Sequence, residues 1–351
     1  MSTMSATAHP APGLSRLSAT AYRLQQGGLA TLFGATTRVW LDVMHRGYKQ
    51  PDWRTMRGLA GRFLRLLQQD LDNVERGHYP GHLLFQFPQI ASYLRMLPEI
   101  ADEMRRMTVR SWRKVHRDLP ADVDITNYPA YYPRNFHWQT DGWFSARAAR
   151  RFDPLADVFF AGTVDVMRRM AIPPVATRAR TRPGLRVLDL ASCTGHFLAQ
   201  LRIALPDAEL HGIDLSEPFL EHAGELLRDA DVTLHRGDIE ALPFADGSFD
   251  VVTGLFLFHE MPRDVRRRIA REAFRVLRSG GSFVVLGGLQ HVDAPELAFY
   301  LDTFGELFHE PYHKGYTRDP LADMLSECGF IPRPLGHRFL AKLVAADKPS
   351  Q

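Results

Sequence analysis

The chain has 351 residues, of which 45% are hydrophobic and 24% charged, and its formal net charge is +3. These values are typical of a globular protein with two domains, or with one domain and a large extension. The two cysteines are too few for a disulfide scaffold and lack the spacing of a metal site. No apolar run approaches the ~18 residues that a membrane helix needs. Collagen, coiled coils, mucins and small secreted proteins are thereby excluded, and we expect neither a membrane span nor a bound metal.

Positive charge is concentrated in the N-terminal half and comes mainly from arginine, with 38 arginines against five lysines. Residues 1–185 carry 26 Lys and Arg against 15 Asp and Glu, whereas residues 186–351 carry 17 against 25. Such asymmetry can indicate contact with nucleic acid or with a membrane. Here the arginines are interleaved with apolar residues at helical spacing, which favours solvated helix faces and argues against a nucleic-acid partner.

Residues 1–40 are rich in Ser, Ala, Thr and Gly and contain no acidic residue. This composition occurs in transit peptides and also in loosely docked tails. Because only three arginines supply charge and no signal-peptide pattern is evident, we expect a flexible tail. A cytoplasmic location is expected for the protein.

Residues 41–183 are predicted to be mainly helical, because apolar residues recur three and four positions apart. A first stripe is followed by a break at Gly77 and Pro80, and a second stripe begins after Pro98. The two stripes are Met56, Leu59, Phe63, Leu66, Leu67, Leu71 and Val74, and then Ile100, Met104, Met107, Trp112 and Val115. A further helix is predicted from Ala146 to Met170, ended by Pro173 and Pro174.

Residues 128–144 form an unusual segment in which aromatic and hydrogen-bonding residues alternate with prolines. Its polar and tyrosine side chains are Tyr131, Tyr132, Asn135, His137, Gln139 and Asp141. So many polar groups in an aromatic run would be costly to bury without partners. We therefore expect an ordered loop whose side chains line a site, although a packed linker between domains is the alternative.

From residue 186 onward, strands and helices alternate, which is the pattern of an α/β protein with a parallel sheet covered by helices. Strands are predicted at residues 187–190, 209–213, 232–235, 249–258 and 282–286. Residues 330–346 are predicted to form an antiparallel pair.

The carboxyl ends of the first three predicted strands carry acidic residues. Asp189 precedes a turn of small residues, where a ligand can approach the backbone and the N–H groups of the next helix. Asp214 ends the second strand, where a carboxylate can accept both hydroxyl groups of a ribose. Asp238 follows the third strand and is placed to accept a hydrogen bond from an exocyclic amine. Open α/β sheets bind ligands at this edge.

These segments resemble the class I S-adenosylmethionine (SAM) dependent methyltransferases, especially the small-molecule branch that includes quinone-biosynthesis C-methyltransferases. The resemblance covers residues 186–348 and rests on five motifs in order, at residues 187–195, 212–214, 238–244, 249–252 and 277–281. It implies a Rossmann-like, seven-stranded methyltransferase sheet with a C-terminal antiparallel hairpin. Residues 184–351 would form the SAM-binding domain and residues 41–183 a cap over the acceptor pocket. The alternative for the same fold is a nicotinamide dehydrogenase. It would need a G-x-G-x-x-G turn, which this sequence does not have after the first predicted strand.

The resemblance also implies roles for particular residues. Asp189 would orient the methionine amine end, Asp214 the ribose, and Asp238 with Ile239 the adenine, while Leu255 and Phe256 would flank the cofactor. The remaining expected cofactor-binding residues are Ala191, Cys193, Gly195 and Leu215.

The chain departs from the family at Ala191 and Cys193, where glycine is usual. Ala191 is a mild change, whereas Cys193 adds a side chain where the backbone meets the methionine part of the cofactor. This difference leaves open a SAM-binding protein without catalytic activity. A reactive thiolate near a helix N-terminus is a further alternative for Cys193.

The candidate catalytic residues are His259, just after the fourth strand, and His137 and Tyr132 in the aromatic loop. A histidine at these places could take a proton at neutral pH. The segment from His309 to His313 follows the fifth strand and could act as a lid. We expect a small-molecule methyl acceptor and a possible homodimer, with a macromolecule methyltransferase as the alternative.

Overall fold

The computed structural model describes residues 14–45, 49, 51–86 and 90–350. Seven strands form one sheet. They are β1 (Arg186–Leu190), β2 (Glu209–Asp214), β3 (Val232–Arg236), β4 (Phe249–Leu255), β5 (Leu277–Gly288), β6 (Ile331–Arg338) and β7 (Ala341–Asp347).

In the described part of the chain, seven α-helices precede β1. They are α1 (Arg16–Met44), α2 (Trp53–Glu75), α3 (Leu83–Gln86), α4 (Ile90–Arg113), α5 (Ala146–Phe159), α6 (Val164–Arg169) and α7 (Ile172–Ala179). Six more lie among and after the parallel strands. They are α8 (His196–Ala204), α9 (Glu217–Leu226), α10 (Arg263–Val276), α11 (Ala298–Leu307), α12 (His313–Thr317) and α13 (Leu321–Glu327).

The strand order across the sheet is β3-β2-β1-β4-β5-β7-β6. Strands β1 to β5 run parallel, and β7 pairs antiparallel with both β5 and β6. The predicted α/β fold with a C-terminal antiparallel hairpin is confirmed. Chain order reverses between β1 and β4, and a crevice opens there at the carboxyl ends of the strands, where ligands bind in such sheets.

The central strands are buried on both faces, as expected for a parallel sheet between helices. In β1, Val187 belongs to the apolar core on one side of the sheet, whereas Leu188 and Leu190 belong to the core on the other side. Alternate residues thus supply both cores, because successive strand side chains point to opposite faces. This arrangement holds the ends of β1, β2 and β4 rigidly beside one another.

The flexible tail predicted for residues 1–40 is wrong over residues 16–40, which belong to α1, and residues 1–13 lie outside the described residues. Ser15 caps this helix by accepting a hydrogen bond from the Ser18 N–H. Tyr22 and Trp40 are buried in it. Apolar residues lie on more than one side of α1, so its sequence shows no single apolar stripe that would have revealed this buried face.

The helix predicted from Ala146 to Met170 is also wrong as a single element, because it consists of α5 and α6. Ala161 and Gly162 between them have φ of 55° and 70°, in the left-handed region that ends helices. Two prolines expected to break helices are tolerated instead. Pro98 lies inside α4, and Pro173 stands in the first turn of α7, where its missing N–H has no helical partner.

The helical N-terminal region and the sheet share one apolar core. Tyr22 of α1 and Leu66 of α2 lie in the same cluster as Val187 of β1 and Leu343 of β7. A fully buried ion pair between Asp70 of α2 and Arg169 of α6 lies beside this core. Among the described helices, none is both long enough and apolar enough to cross a membrane.

Candidate active site

One large cavity lies at the carboxyl edge of the sheet, at the point where strand order reverses. The cavity and the open solvent at its mouth together occupy about 1680 Å³. All but one of the predicted cofactor-binding residues line it, namely Asp189, Ala191, Cys193, Asp214, Leu215, Asp238, Ile239, Leu255 and Phe256. Three strand ends and the loop after β3 thus converge on a single space.

Gly195 is the predicted residue that does not line the cavity. It is the N-cap of α8, with φ of 78°, and it packs against α9 behind the turn. A Cβ atom at this position would lie 2.9 Å from Leu227 Cδ1 and 3.1 Å from Ala223 Cβ. Glycine is therefore required here by the close approach of α9 and by the left-handed backbone, rather than by ligand contact.

The turn between β1 and α8 has an unusual backbone at the two positions where the family usually has glycine. Ala191 and Cys193 have φ of 51° and 53°, a region that costs a residue with a side chain about 1–3 kcal/mol. The Ser192 N–H donates to the Ile213 carbonyl at 3.1 Å, and the Cys193 N–H donates to Asp214 Oδ2 at 2.9 Å. These bonds tie the turn to the end of β2 and hold its strained conformation.

The Cys193 thiol does not fit the thiolate alternative. Its pKa is raised well above the ordinary value by burial and by the nearby carboxylates of Asp153 and Asp214. The side chain packs against a small aromatic cluster that includes Phe136 and Phe219. A protonated, buried thiol is a poor nucleophile, so Cys193 acts here as a small apolar residue.

The three acidic residues at the strand ends are buried to different degrees. Asp214 accepts from the N–H groups of Ser216 and Cys193, both at 2.9 Å, yet burial still raises its pKa. Asp189 accepts from the Thr253 hydroxyl at 2.6 Å, and burial raises its pKa to about 7. Asp238 is half-buried and accepts from the Glu240 N–H at 2.8 Å. A donor or cation that enters the cavity beside Asp189 and Asp214 would relieve their desolvation.

A second group of ionisable side chains faces the strand ends across the cavity, and we call it the polar cluster. It consists of His137, His259, Glu260 and Glu310. His137 Nε2 lies 3.1 Å from Glu310 Oε1 and 3.3 Å from Glu260 Oε1, and His259 Nε2 lies 3.8 Å from Glu310 Oε2. All four side chains line the same cavity as the strand-end acids.

The two glutamates keep His137 positively charged. Although burial lowers the pKa of His137, Glu260 and Glu310 raise it to about 10. In the same way, burial raises the pKa of Glu310, but the surrounding histidines, with His259 the largest effect, lower it to about 2. A proton therefore occupies His137 Nε2 between the two carboxylates. Among the described residues, no group of three or more His, Cys, Asp and Glu side chains could hold a metal ion.

Two atoms of the polar cluster lack hydrogen-bond partners within the described part of the chain. They are His259 Nδ1 and Glu310 Oε2, both buried. Unpartnered polar atoms are rare in protein interiors. Because both residues line the cavity, these atoms are candidates for contact with a ligand, Nδ1 as donor or acceptor and Oε2 as acceptor.

The aromatic loop lines the cavity with Tyr131, Tyr132, Phe136, His137, Gln139 and Trp143. His137 and Trp138 have φ of 54° and 59°, so the loop is strained where His137 enters the cavity. Trp138 anchors it by donating from Nε1 to the Leu307 carbonyl at 2.9 Å. Asn135, by contrast, is buried in bonds to backbone carbonyls and does not line the cavity. Burial raises the pKa of Tyr132 well above its ordinary value, so its hydroxyl stays protonated.

Sequence reasoning missed the apolar end of the cavity. This end, which we call the apolar arm, is lined by Met107, Leu155, Phe159, Phe160, Phe304 and Phe308. These residues come from α4, α5 and α11 and the positions just after them. The segments of α4 and α5 had been predicted only as helices, and no element had been predicted for α11. No local pattern distinguishes a residue facing a cavity from one facing a packed core.

The comparisons with known proteins agree with this geometry. Residues 187–281 match a family model described as a methyltransferase domain. The chain is 32% identical to the demethylmenaquinone methyltransferase of Thermotoga maritima, over 52% of this chain and 87% of that protein. It is 37% identical to a protein of the same name from Beutenbergia cavernae, over 51% of this chain and 70% of that protein.

A solved structure of an O-methyltransferase family protein from Burkholderia thailandensis is 18% identical, with a TM-score of 0.44, and covers 59% of this chain and 64% of its own. The sequence relatives, the methyltransferase domain and the sheet order agree, and the chain belongs to the class I SAM-dependent methyltransferases.

Proposed function

We propose that the chain binds SAM at the strand ends and transfers its methyl group to a small, largely apolar acceptor held beside the polar cluster. The observation that carries this proposal is the single cavity itself. It joins the strand-end acids to a cluster of two histidines and two glutamates, and it continues into an aromatic arm. Deep pockets with few polar groups are typical of small-molecule sites.

The strand-end residues fit the cofactor in charge and shape. Asp189 is deeply buried and, within the described residues, has no cationic hydrogen-bond partner, so the methionine ammonium group would supply the missing charge. Asp214 has two carboxylate oxygens that each accept one backbone N–H, and each can accept a further bond from a ribose hydroxyl. Asp238 and Ile239 would hold the adenine, between Leu215 on one side and Leu255 with Phe256 on the other.

The methyl group of a sulfonium is electrophilic and needs a nucleophile held in line and kept from water. We assign the activation of the methyl acceptor to the polar cluster. His259 would accept the proton that the acceptor loses, because its Nδ1 has no other partner in the described structure. His137, charged and fixed between two glutamates, would stabilise the negative oxygen that develops on the acceptor. Tyr132, with its hydroxyl protonated, would donate a hydrogen bond.

The apolar arm supports an acceptor with an extended hydrocarbon part. The relatives are named as demethylmenaquinone methyltransferases, and a hydroxylated aromatic ring with an apolar chain would suit both ends of this cavity. We therefore propose an acceptor of that chemistry, with its ring at the polar cluster and its chain in the apolar arm.

The macromolecule alternative gains no support from the arginine-rich half. Several of its arginines are buried in internal ion pairs rather than displayed to a polyanion. Arg169 pairs with Asp70, Arg168 with Asp165, and Arg151 with Glu103. We also propose a cytoplasmic location, since both cysteines are unpaired thiols.

Titration calorimetry with SAM and with S-adenosylhomocysteine tests the cofactor assignment. We expect both to bind with micromolar dissociation constants. If neither binds, the proposed function is wrong. The Cys193 side chain would then be the first candidate cause of a site closed to the methionine part of the cofactor. An acceptor screen with naphthols and hydroquinones of increasing chain length then tests the acceptor. A KM that falls as the hydrocarbon chain of the acceptor lengthens supports binding of that chain in the apolar arm. A KM that does not depend on its length contradicts this assignment.

A further inference from the structure

One face of α1 is apolar and exposed along most of its length. Leu17, Leu24, Leu32, Val39 and Val43 are 84%, 72%, 58%, 64% and 53% exposed. At 100° per residue these positions share one side of the helix, about 120° round it from the side that buries Tyr22, Phe33 and Trp40. We call this stripe the outer face of α1. Five large aliphatic side chains on one exposed helix face are more than the scattered apolar residues of an ordinary surface.

The outer face continues onto α4. Val39 and Val43 line a shallow groove together with Val109 and Trp112. The Trp112 indole Nε1 donates to the Met44 carbonyl at 2.8 Å, and the side chain is still 56% exposed. A tryptophan with its N–H satisfied and its ring exposed is a side chain suited to a membrane interface.

Positive charge lies next to the outer face on one side. Arg38 of α1 is exposed and lies beside it on the helical wheel, Arg16 and Arg23 lie farther round the helix, and Asp42, the single acidic residue of α1, lies within it. The exposed residues that follow the groove at the end of α4 include Arg113 and Lys114. Apolar side chains bordered by basic ones are the pattern of helices that lie on anionic membranes. A second copy of the same surface would bring like charges together.

The inner side of α1 adjoins the apolar arm of the cavity. The Trp40 ring centroid lies 4.8 Å from that of Phe159 and 5.8 Å from that of Phe308, and both phenylalanines line the cavity. A single helix therefore separates the apolar arm from the outer face.

We propose that the outer face of α1 docks on the surface of an anionic phospholipid bilayer, with the helix lying in the interface plane. Its aliphatic side chains and Trp112 enter the boundary between headgroups and acyl chains, and the bordering arginines contact lipid phosphates. The apolar arm then lies next to the bilayer, from which a lipid-like acceptor can enter. That last consequence rests on the proposed function, whereas the docking itself does not.

Vesicle flotation with the full chain tests the docking. The probes are vesicles of phosphatidylcholine alone and of phosphatidylcholine with an equal part of phosphatidylglycerol. The test variant is Leu32→Asp with Val39→Asp, and the matched control is Val292→Asp with Ile331→Asp, whose aliphatic side chains are 64% and 60% exposed away from α1. SAM affinity, measured by calorimetry, reports whether each variant is folded.

We expect the wild type and the control to float with the anionic vesicles and less with neutral ones. The test variant should bind the anionic vesicles at least about tenfold more weakly than the wild type, while its SAM affinity should be unchanged. Arg16→Gln with Arg38→Gln should reduce the preference for anionic vesicles, as should added salt.

The proposal is overturned if the wild type does not float with anionic vesicles, or if the control loses binding as much as the test variant. It is also overturned if light scattering shows a dimer that the test variant converts to a monomer, because a second copy would then cover the outer face. Vesicle binding without any SAM binding would contradict the proposed function and leave the docking intact.

Discussion

Replacing Glu310 with glutamine should change the charge state of His137, 173 residues away in the chain. The amide keeps the size of the side chain and removes one of the two carboxylates that hold the His137 proton. His137 has a pKa of about 10 in the folded protein against an ordinary value of 6.5. Since one pKa unit corresponds to about 1.4 kcal/mol, this difference corresponds to about 5 kcal/mol, shared between two carboxylates. The two carboxylates also offset the effect of burial, which lowers the pKa of His137, so Glu310→Gln should lower this pKa by at least about two units.

The stability of the protein should report the same change. A pKa raised by folding contributes stability that is complete below the unfolded value of 6.5 and is lost as pH rises through about 10. The free energy of unfolding of the wild type should exceed that of Glu310→Gln by about 2–3 kcal/mol at pH 6, and the difference should shrink towards pH 10.

Two measurements check this reasoning. NMR titration of the histidine Cε1–H signals, with His137→Asn to assign the resonance, gives the pKa directly, and urea unfolding at several pH values gives the stability. Glu306→Gln, which removes an exposed acid four residues away, is the control and should leave both unchanged. A wild-type His137 that titrates near 6.5, or one whose pKa is the same in Glu310→Gln, would refute the assignment of charge in the polar cluster.

Three further predictions concern the strand ends and the N-terminal helices. Asp214→Ala should weaken SAM binding by about 2–3 kcal/mol in calorimetry, because charge-assisted hydrogen bonds are lost, whereas Asp207→Ala, at an exposed position, should leave the affinity unchanged. Cys193→Val should lower the free energy of unfolding by at least about 1 kcal/mol, since a β-branched residue is strained at positive φ. Cys193→Gly should have a free energy of unfolding close to that of the wild type. If both variants lose the same free energy of unfolding, backbone strain is not the cause. Asp70→Asn should destabilise the protein by about 3–5 kcal/mol in urea unfolding, because Arg169 keeps a buried charge without its counterion. A loss below 1 kcal/mol would show that this pair does not hold α2 to α6.

The sheet half of the molecule could be predicted from sequence because its signals are local. Each parallel strand contains a short apolar run, and each of the three acids lies at or just after the end of its strand, so Asp189, Asp214 and Asp238 were expected at one edge of the sheet. The same locality explains why Gly195 was assigned to ligand contact. Its closeness to Ala223 in α9 depends on packing between segments that are distant in the chain.

The rest of the site depends on contacts that no local pattern encodes. His137 and His259 were candidates from their residue type and their place in the chain. The pairing of His137 with Glu310, by contrast, joins a strained loop to the segment after α11. The large pKa difference of His137 arises from that pairing. Tyr22 was missed for a related reason, because its burial is decided by α2 and α6 and not by its neighbours in α1.

The core shared by the two halves has a consequence for synthesis of the chain. Tyr22 and Leu66 belong to a cluster that is completed only by Leu343 in the last strand. At translation rates of roughly 5–20 residues per second, about 15 to 60 seconds separate the two ends of this cluster on the ribosome. During that interval the N-terminal helices carry apolar faces whose partners do not yet exist, so the nascent chain is a natural client for chaperones.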